Sequence, residues 1–326
     1  MVKVSILGLG VYLPSKRLTN FDLEKMVDTS DEWIRSRTGI VERRVASPHE
    51  KTSDLAHKAA LQALKNAKIS AEKIDLIVVA TASPDSSFPS VACKVQKAIG
   101  AKKATGFDVS AACAGFLYAL TTAKQYIQTG MAHHALVIAA ERFTDLIDWT
   151  DRDTCVLFGD GAGACVLGKA KSGHITADFL QAFGDQWDLM QVISEGGRSP
   201  FHPEKTACAK LPYVRMQGQE LFKMAVNSMA DAIEKVIKKA KIKKENIDCI
   251  VPHQANDRIM SAVAKKLNIS KDKIFINIDK YGNMSAASIA VALYEAVESK
   301  KIKKGDNVVL VAFGAGLVSA ANVVKW

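Results

Sequence analysis

No stretch of the chain is apolar for long enough to cross a membrane. Its first residues, MVKVSILGLGVYLP, lack the extended apolar region and small-residue cleavage site of a secretory leader. A cytoplasmic protein with no membrane partner is therefore expected. The six cysteines (Cys93, Cys113, Cys155, Cys165, Cys208 and Cys249) form no CxxC pair, and no Cys/His group has metal-ligand spacing. Thiols scattered this widely read as reduced, and most of them as small buried apolar side chains.

Two phosphate-binding signatures are also incomplete. Gly8-Leu9-Gly10 reads as following a strand, but no third glycine stands at Leu13, so the dinucleotide fingerprint fails. Gly159, Gly161 and Gly163 lack the Gly-Lys-Ser/Thr ending of a phosphate loop, and tight strand entries are the role expected of them. No basic motif is interleaved with aromatics, so nucleic acid is not an expected partner despite a net charge of +10. Much of that charge sits in 235–244 (KVIKKAKIKK) and 300–304 (KKIKK). Lysines there suit solvated helix ends; alternatively, they attract an acidic partner.

What the chain does have is a globular balance, 48% apolar and 24% charged, over 326 residues, enough to bury a substantial core. It also repeats itself. Residues 58–80 (KAALQALKNAKISAEKIDLIVVA) and 231–253 (DAIEKVIKKAKIKKENIDCIVPH) each read as an amphipathic helix, a lysine-rich turn and a β-branched strand. Leu55, Ala59, Ala63 and Leu64 share one helix face; Phe222, Val226, Met229, Ile233 and Ile237 share the other. Helix 113–129, Gly130 and strand 135–140 correspond to helix 285–298, Gly305 and strand 307–312. The glycine-rich 158–167 corresponds to 313–324. Strands alternating with helices predict an α/β protein with buried sheets. Two copies predict paired halves, 1–170 and 171–326, related by a pseudo-two-fold axis, with the boundary in the polar KAKSGH near residue 170.

Three positions carry candidate chemistry. Cys113 lies between a strand end and the start of a helix, where the dipole and free N–H groups favour thiolate. Small neighbours, Ala111, Ala112, Ala114 and Gly115, leave room for a substrate; a buried spacer is the alternative. His253 ends the strand IDCIVPH, at the carboxyl edge where open α/β sheets bind ligands. It is placed for proton or hydrogen-bond donation, or for an ordinary structural hydrogen bond. Asn283, in YGNMSAAS, precedes a helix near the duplicated counterpart of Cys113, either as an amide donor or as a helix cap. The duplication would bring the three together at the axis.

The chain resembles the type III β-ketoacyl-acyl-carrier-protein synthases of the thiolase fold. TSDEWIRSRTGI (29–40), FPSVAC (88–93), DVSAACAGF (108–116), DRDTCVLFGDGAGA (151–164), PHQAN (252–256), YGNMSAAS (281–288) and FGAG (313–316) match in order over essentially the whole length. The resemblance implies a thiolase-like α-β-α-β-α layering. It implies Cys113 as the acylated nucleophile, His253 and Asn283 as the decarboxylation pair, and the backbone N–H groups of Cys113 and Ala315 as the oxyanion hole. It further implies Thr29, Trp33, Arg37, Arg152 and Asn256 as coenzyme A and pantetheine contacts. Phe88 would reach a partner subunit's acyl pocket in a homodimer, and Lys223 and Arg258 would dock acyl carrier protein.

The substrates implied are an acyl-CoA, with acetyl-CoA expected, and malonyl-acyl carrier protein. No cofactor is implied beyond the coenzyme A thioester, itself a substrate. The family often continues FGAG with Thr-Trp-Gly, whereas Leu317-Val318-Ser319-Ala320 follow here, which bears on pocket shape. The Asn at the third position fits the type III pattern rather than the two-histidine elongating form. Three rivals stand beside this reading. A papain-like hydrolase shares the order Cys, His, Asn but lacks the Cys-Gly-Ser/Ala-Cys signature. A secondary-metabolite ketosynthase or acyltransferase would use the same acyl-cysteine. A carrier-protein-binding scaffold would need none of the intact set.

Overall fold

The computed structural model describes residues 2–170, 172–192 and 213–326; Cys208 lies outside them. The first half builds β1 (Val4–Tyr12), the hairpin of β2 (Lys16–Thr19) and β3 (Glu42–Val45), β4 (Leu76–Ala80), β5 (Thr105–Val109), β6 (His134–Arg142) and β7 (Asp160–Lys169). Between them run α1 (Asn20–Leu23), α2 (Asp31–Thr38), α3 (Thr52–Ala67), α4 (Val91–Ile99), α5 (Gly115–Gln128) and α6 (Arg152–Cys155). The second half adds β8 (His174–Ala182), the short pair β9 (Met190–Val192) and β10 (Val214–Met216), β11 (Cys249–Pro252), β12 (Asn307–Gly314) and β13 (Val318–Lys325). Its helices are α7 (Gly218–Ala240), α8 (Asp257–Leu267), α9 (Ile278–Tyr281) and α10 (Ala287–Glu298).

One sheet runs β1-β7-β6-β4-β5, the other β8-β13-β12-β11. Directions match as well as order. β4 is parallel to β6, and β7 is antiparallel to both β6 and β1. β11 is parallel to β12, and β13 is antiparallel to both β12 and β8. The counterpart of β5 is reduced to a single parallel bridge between Ile250 and Ile274. The expected boundary near residue 170 falls between β7 and β8, and neither sheet takes a strand from across it.

Burial sets the layering. Along β6, Leu136, Ile138 and Ala140 pack with α3 and α4, while Ala135, Val137 and Ala139 face the cluster around α5 and α10. Along β12, Val308, Leu310 and Ala312 face that same central cluster, and Val309, Val311 and Phe313 face α7 and α8. Sheets covered on both faces need unbroken apolar runs, which is why ALVIAA and NVVLVA show no polar alternation. The order of layers is helices, sheet, central helices, sheet, helices. Truncating a fully buried leucine in them costs roughly 2–5 kcal/mol.

Two glycine readings change. Gly8-Leu9-Gly10 does not follow a strand but lies within β1, and Gly163 lies inside β7 rather than at its entry. Their need for glycine is close helix approach. A Cβ on Gly10 would sit 2.3 Å from the Ala59 carbonyl of α3, and one on Gly163 would sit 2.5 Å from Ala290 Cβ of α10. The lysines of 235–244 straddle the C-terminus of α7, with Lys238 and Lys239 in its last turn and Lys241 as a left-handed cap.

Candidate active site

The central helices bring two similar turns together. Before α5, Ala112 (φ 42°) turns the chain and Cys113 follows; before α10, Ser285 (φ 47°) turns the chain and Ala286 follows. Left-handed backbone is costly away from glycine and recurs where tertiary structure forces a side chain outward. The two turns touch: the Cys113 thiol points to Ser285 Oγ at 3.6 Å. The end of β12 closes over them, since a Cβ on Gly314 would come within 2.8 Å of the Cys113 nitrogen. The N–H of Ala315 has no backbone acceptor among the described residues.

Cys113, His253 and Asn283 are all buried and line one cavity of about 450 Å³, which Trp33, Arg37 and Asn256 also line. A second cavity of about 220 Å³ also reaches Cys113, walled by Ala112, Phe143, Met190, Ser285 and Ala315. His253 continues the ladder of β11, its N–H donating to the Val311 carbonyl at 2.8 Å. Asn283 is bridged to Phe158: its N–H donates to Leu157 O at 2.9 Å, and its carbonyl accepts from Gly159 N at 3.0 Å. Its Oδ1 accepts from Ser285 N at 2.8 Å, which fixes the carboxamide, and it does not cap α10. The fully buried guanidinium of Arg43 holds the strap that carries this bridge, donating from Nη2 to Val156 O at 2.6 Å. Its Nη1 donates to Asn20 Oδ1 at 2.9 Å.

Electrostatics weigh against one expectation. The helix-terminus argument favoured thiolate at Cys113, but burial pushes its thiol up to about 12, with Glu141 adding to the rise and the Ser285 hydroxyl opposing it. Desolvation is the largest cause, because Cys113 is buried in a turn ahead of α5. Burial also lowers His253 to about 3, so the imidazole is neutral. Its Nδ1 has no hydrogen-bond partner among the described residues.

The remaining candidates spread outward. Arg37 and Arg152 flank the Trp33 ring at 6.0 and 4.9 Å from its centroid. Asn256 caps α8 through Oδ1 and donates from Nδ2 to the Arg37 carbonyl at 3.0 Å, joining α8 to α2. Thr29 lies beside the cap of α2, and its hydroxyl has no partner among the described residues. Lys223 is exposed and pairs with Glu220 at 3.2 Å; Arg258 is exposed in the first turn of α8. Phe88 stands 86% exposed, away from both cavities. Sequence reading passed over Glu141, Ser285 and Arg43. The signal available for Glu141 was its place, a carboxylate directly after six apolar strand residues at a carboxyl sheet edge.

Comparison with known proteins decides the family. The description "3-Oxoacyl-[acyl-carrier-protein (ACP)] synthase III" matches residues 107–184, and that of the C-terminal part of the same synthase matches residues 237–326. A β-ketoacyl-[acyl-carrier-protein] synthase III of Caldanaerobacter subterraneus is 51% identical over 326 residues, covering 100% of this chain and 98% of the relative. The chain belongs to the 3-oxoacyl-[acyl-carrier-protein] synthase III family. The crystal structure of such a synthase from Aquifex aeolicus superposes with a TM-score of 0.92 at 47% identity, covering 99% of this chain and 100% of that one. The priming β-ketosynthase of the R1128 polyketide pathway also superposes at 0.92, but at 32% identity, over 99% of this chain and 96% of its own. The fold is therefore thiolase-like and the chain is a condensing, acyl-transferring enzyme.

Proposed function

We propose that the protein starts fatty acid synthesis by joining an acyl group, acetyl expected, from acyl-CoA to the malonyl group of malonyl-acyl carrier protein. The observation that carries this is the meeting of Cys113, His253 and Asn283 in one cavity whose outer wall holds Trp33 and Arg37. Cys113 sulfur attacks the acyl thioester, and the N–H groups of Cys113 and Ala315 hold the tetrahedral oxyanion. Each such donor contributes roughly 3–4 kcal/mol. Trp33, Arg37 and Arg152 hold the nucleotide end of coenzyme A by stacking and charge, with Thr29 and Asn256 along the pantetheine arm. The smaller cavity beyond Cys113 receives the acyl chain.

Coenzyme A then leaves and the malonyl thioester enters. Loss of CO2 leaves an enolate, whose oxygen accepts hydrogen bonds from Asn283 Nδ2 and neutral His253 Nε2. The enolate carbon attacks the acyl-Cys113 carbonyl and releases the β-ketoacyl product. A neutral imidazole suits this step, because it donates one proton without giving it up. Lys223 and Arg258 meet the acidic carrier. Exposed Phe88 fits a partner copy in a homodimer, and cytoplasmic placement follows from the substrates. The halves 1–170 and 171–326 act as two copies of one unit, the first loaded and the second assisting. No cofactor enters these steps.

The test is incubation with radiolabelled acetyl-CoA, then malonyl-acyl carrier protein with product mass analysis. Label on wild type but not on Cys113→Ala, followed by an acetoacetyl product, supports the proposal. No label sinks it, and labelled enzyme giving a different product moves it to a polyketide-priming ketosynthase.

A further inference from the structure

His253 and Asn283 come from different elements, the end of β11 and the turn before α10. In the proposed reaction both reach one enolate oxygen, so their spacing matters as much as their presence. Their backbones are held separately. The His253 N–H joins β12, and Asn283 joins the strap from the first half. Neither set of bonds ties the two donors to each other.

A chain of polar side chains does. Gln254, the residue after His253, is buried. Its Nε2 donates to the Pro252 carbonyl at 2.9 Å and to the Phe275 carbonyl at 3.1 Å. Its Oε1 accepts from the Asn277 N–H at 3.0 Å. One carboxamide thereby clamps the end of β11 to the segment ahead of α9. Asn277, also buried, donates from Nδ2 to Glu295 Oε2 of α10 at 3.1 Å. Glu295 Oε1 accepts from the hydroxyl of Tyr281, two residues before Asn283. The Asn283 turn is thus closed by a bond between the residue at its start and the helix at its end. Lys280 Nζ stands 3.4 Å from the same carboxylate. Gln254, Asn277 and Glu295 line neither cavity that reaches Cys113, so contact with substrate does not account for them. Polar groups are costly to bury, and apolar packing fills a core without that cost.

We infer that Gln254, Asn277, Glu295 and Tyr281 form a brace that sets the distance between His253 and Asn283, as positioning residues for condensation. This rests on the reading of that pair as donors to the enolate oxygen. The brace runs behind the site, from the neighbour of one donor to the turn that carries the other. Each link is a directional bond between one donor and one acceptor, so the chain has a defined length where an apolar contact would slide. A misplacement on the order of 1 Å can cost about 100-fold in rate. No bond of the brace reaches Cys113 among the described residues, which leaves loading of the sulfur outside its control.

The test separates the two half-reactions. Asn277→Ala removes the middle link and should slow single-turnover condensation on acetyl-loaded enzyme by about tenfold to 100-fold. Acetyl loading of Cys113 should stay within about twofold, since it shares no partner with the brace. In an Asn283→Ala background the same change should cost nothing further, because no pair remains to misalign. Asn277→Asp alone sets two carboxylates against each other and should also slow condensation. Asn277→Asp/Glu295→Gln exchanges amide and carboxylate, keeps both bonds and should recover the rate to within about threefold. A merely structural role would slow loading and condensation together and keep its cost in the Asn283→Ala background. Wild-type condensation in Asn277→Ala, equal loss in both half-reactions, undiminished loss in the Asn283→Ala background, or an exchange that rescues nothing overturns the brace. If Asn277→Ala fails to melt cooperatively, Tyr281→Phe, which removes one hydroxyl, decides by the same criteria. If wild type never loads acetyl-CoA, the proposed reaction fails, and the brace is judged by the same losses in CO2 release from malonyl-acyl carrier protein.

Discussion

The two turns at the heart of the molecule have nearly the same backbone and opposite equipment. Ala112-Cys113 in the first half presents a sulfur; Ser285-Ala286 in the second presents a hydroxyl, with methyl in place of thiol. Three residues before Ala286 stands Asn283, whose carboxamide is fixed by the N–H of Ser285. The comparison teaches how a duplicated fold becomes asymmetric. The shared strand order fixes where both turns point, and a few substitutions then assign one to carry the acyl group and the other to assist.

The sharpest way to break this division is Asn283→Ala. It should cut decarboxylation and condensation about 10²–10³-fold, the usual cost of one preorganised donor. Acetyl loading on Cys113 should stay within a few-fold, and equal loss in single-turnover assays of both half-reactions would erase the division. Gly314→Ala should strike both halves' work at once. Its Cβ would press on the Cys113 nitrogen, which is backbone and has little room to yield. We expect about 1–3 kcal/mol of lost stability by denaturant titration and slower loading as well as slower condensation.

The buried titratable groups give the comparison a pH signature. His253 is lowered to about 3, so below about pH 6.5 the unfolded chain takes a proton that the folded one refuses. Its share of stability is present above that pH and falls by up to about 1.4 kcal/mol per unit as pH drops toward 3. Glu141 runs the other way: raised to about 7, it makes the folded state the better proton binder, so stability falls as pH rises from about 4.5 toward 7. Melting curves of His253→Gln should flatten on the acid side, and those of Glu141→Gln on the neutral side. A condensation profile with a limb near 6.5 would show His253 titrating and contradict its neutral role. The smallest expected effect is at the surface. Lys223→Glu or Arg258→Glu should weaken use of malonyl-acyl carrier protein by about tenfold, less at high salt, and leave loading from acetyl-CoA unchanged.

Much of this was readable in the chain. The paired helix–turn–strand segments announced two equivalent sheets, because apolar runs buried on both faces leave a strong periodic record. The ordered motifs pointed to Cys113, His253 and Asn283. What stayed hidden depends on folding distant segments together. Arg43 and Ser285 look ordinary in sequence; their roles come from the Val156 carbonyl and the Cys113 sulfur, 113 and 172 residues away. The burial of Cys113 stayed hidden for the same reason. A helix terminus is visible in sequence, but the packing of Gly314 and Ser285 against Cys113 is not. Gly8 and Gly10 were read as following a strand rather than lying within it, because their helix contacts are tertiary.

The central claim is that the first half holds the acyl group and the second half makes it react. Intact-protein mass spectrometry of wild type and a His253→Ala/Asn283→Ala variant, taken after acetyl-CoA and again after malonyl-acyl carrier protein, tests it most directly. Both proteins should gain one acetyl group on the Cys113 peptide, and only wild type should lose it on the second addition. A variant that cannot be loaded, or one that discharges as fast as wild type, would contradict the claim.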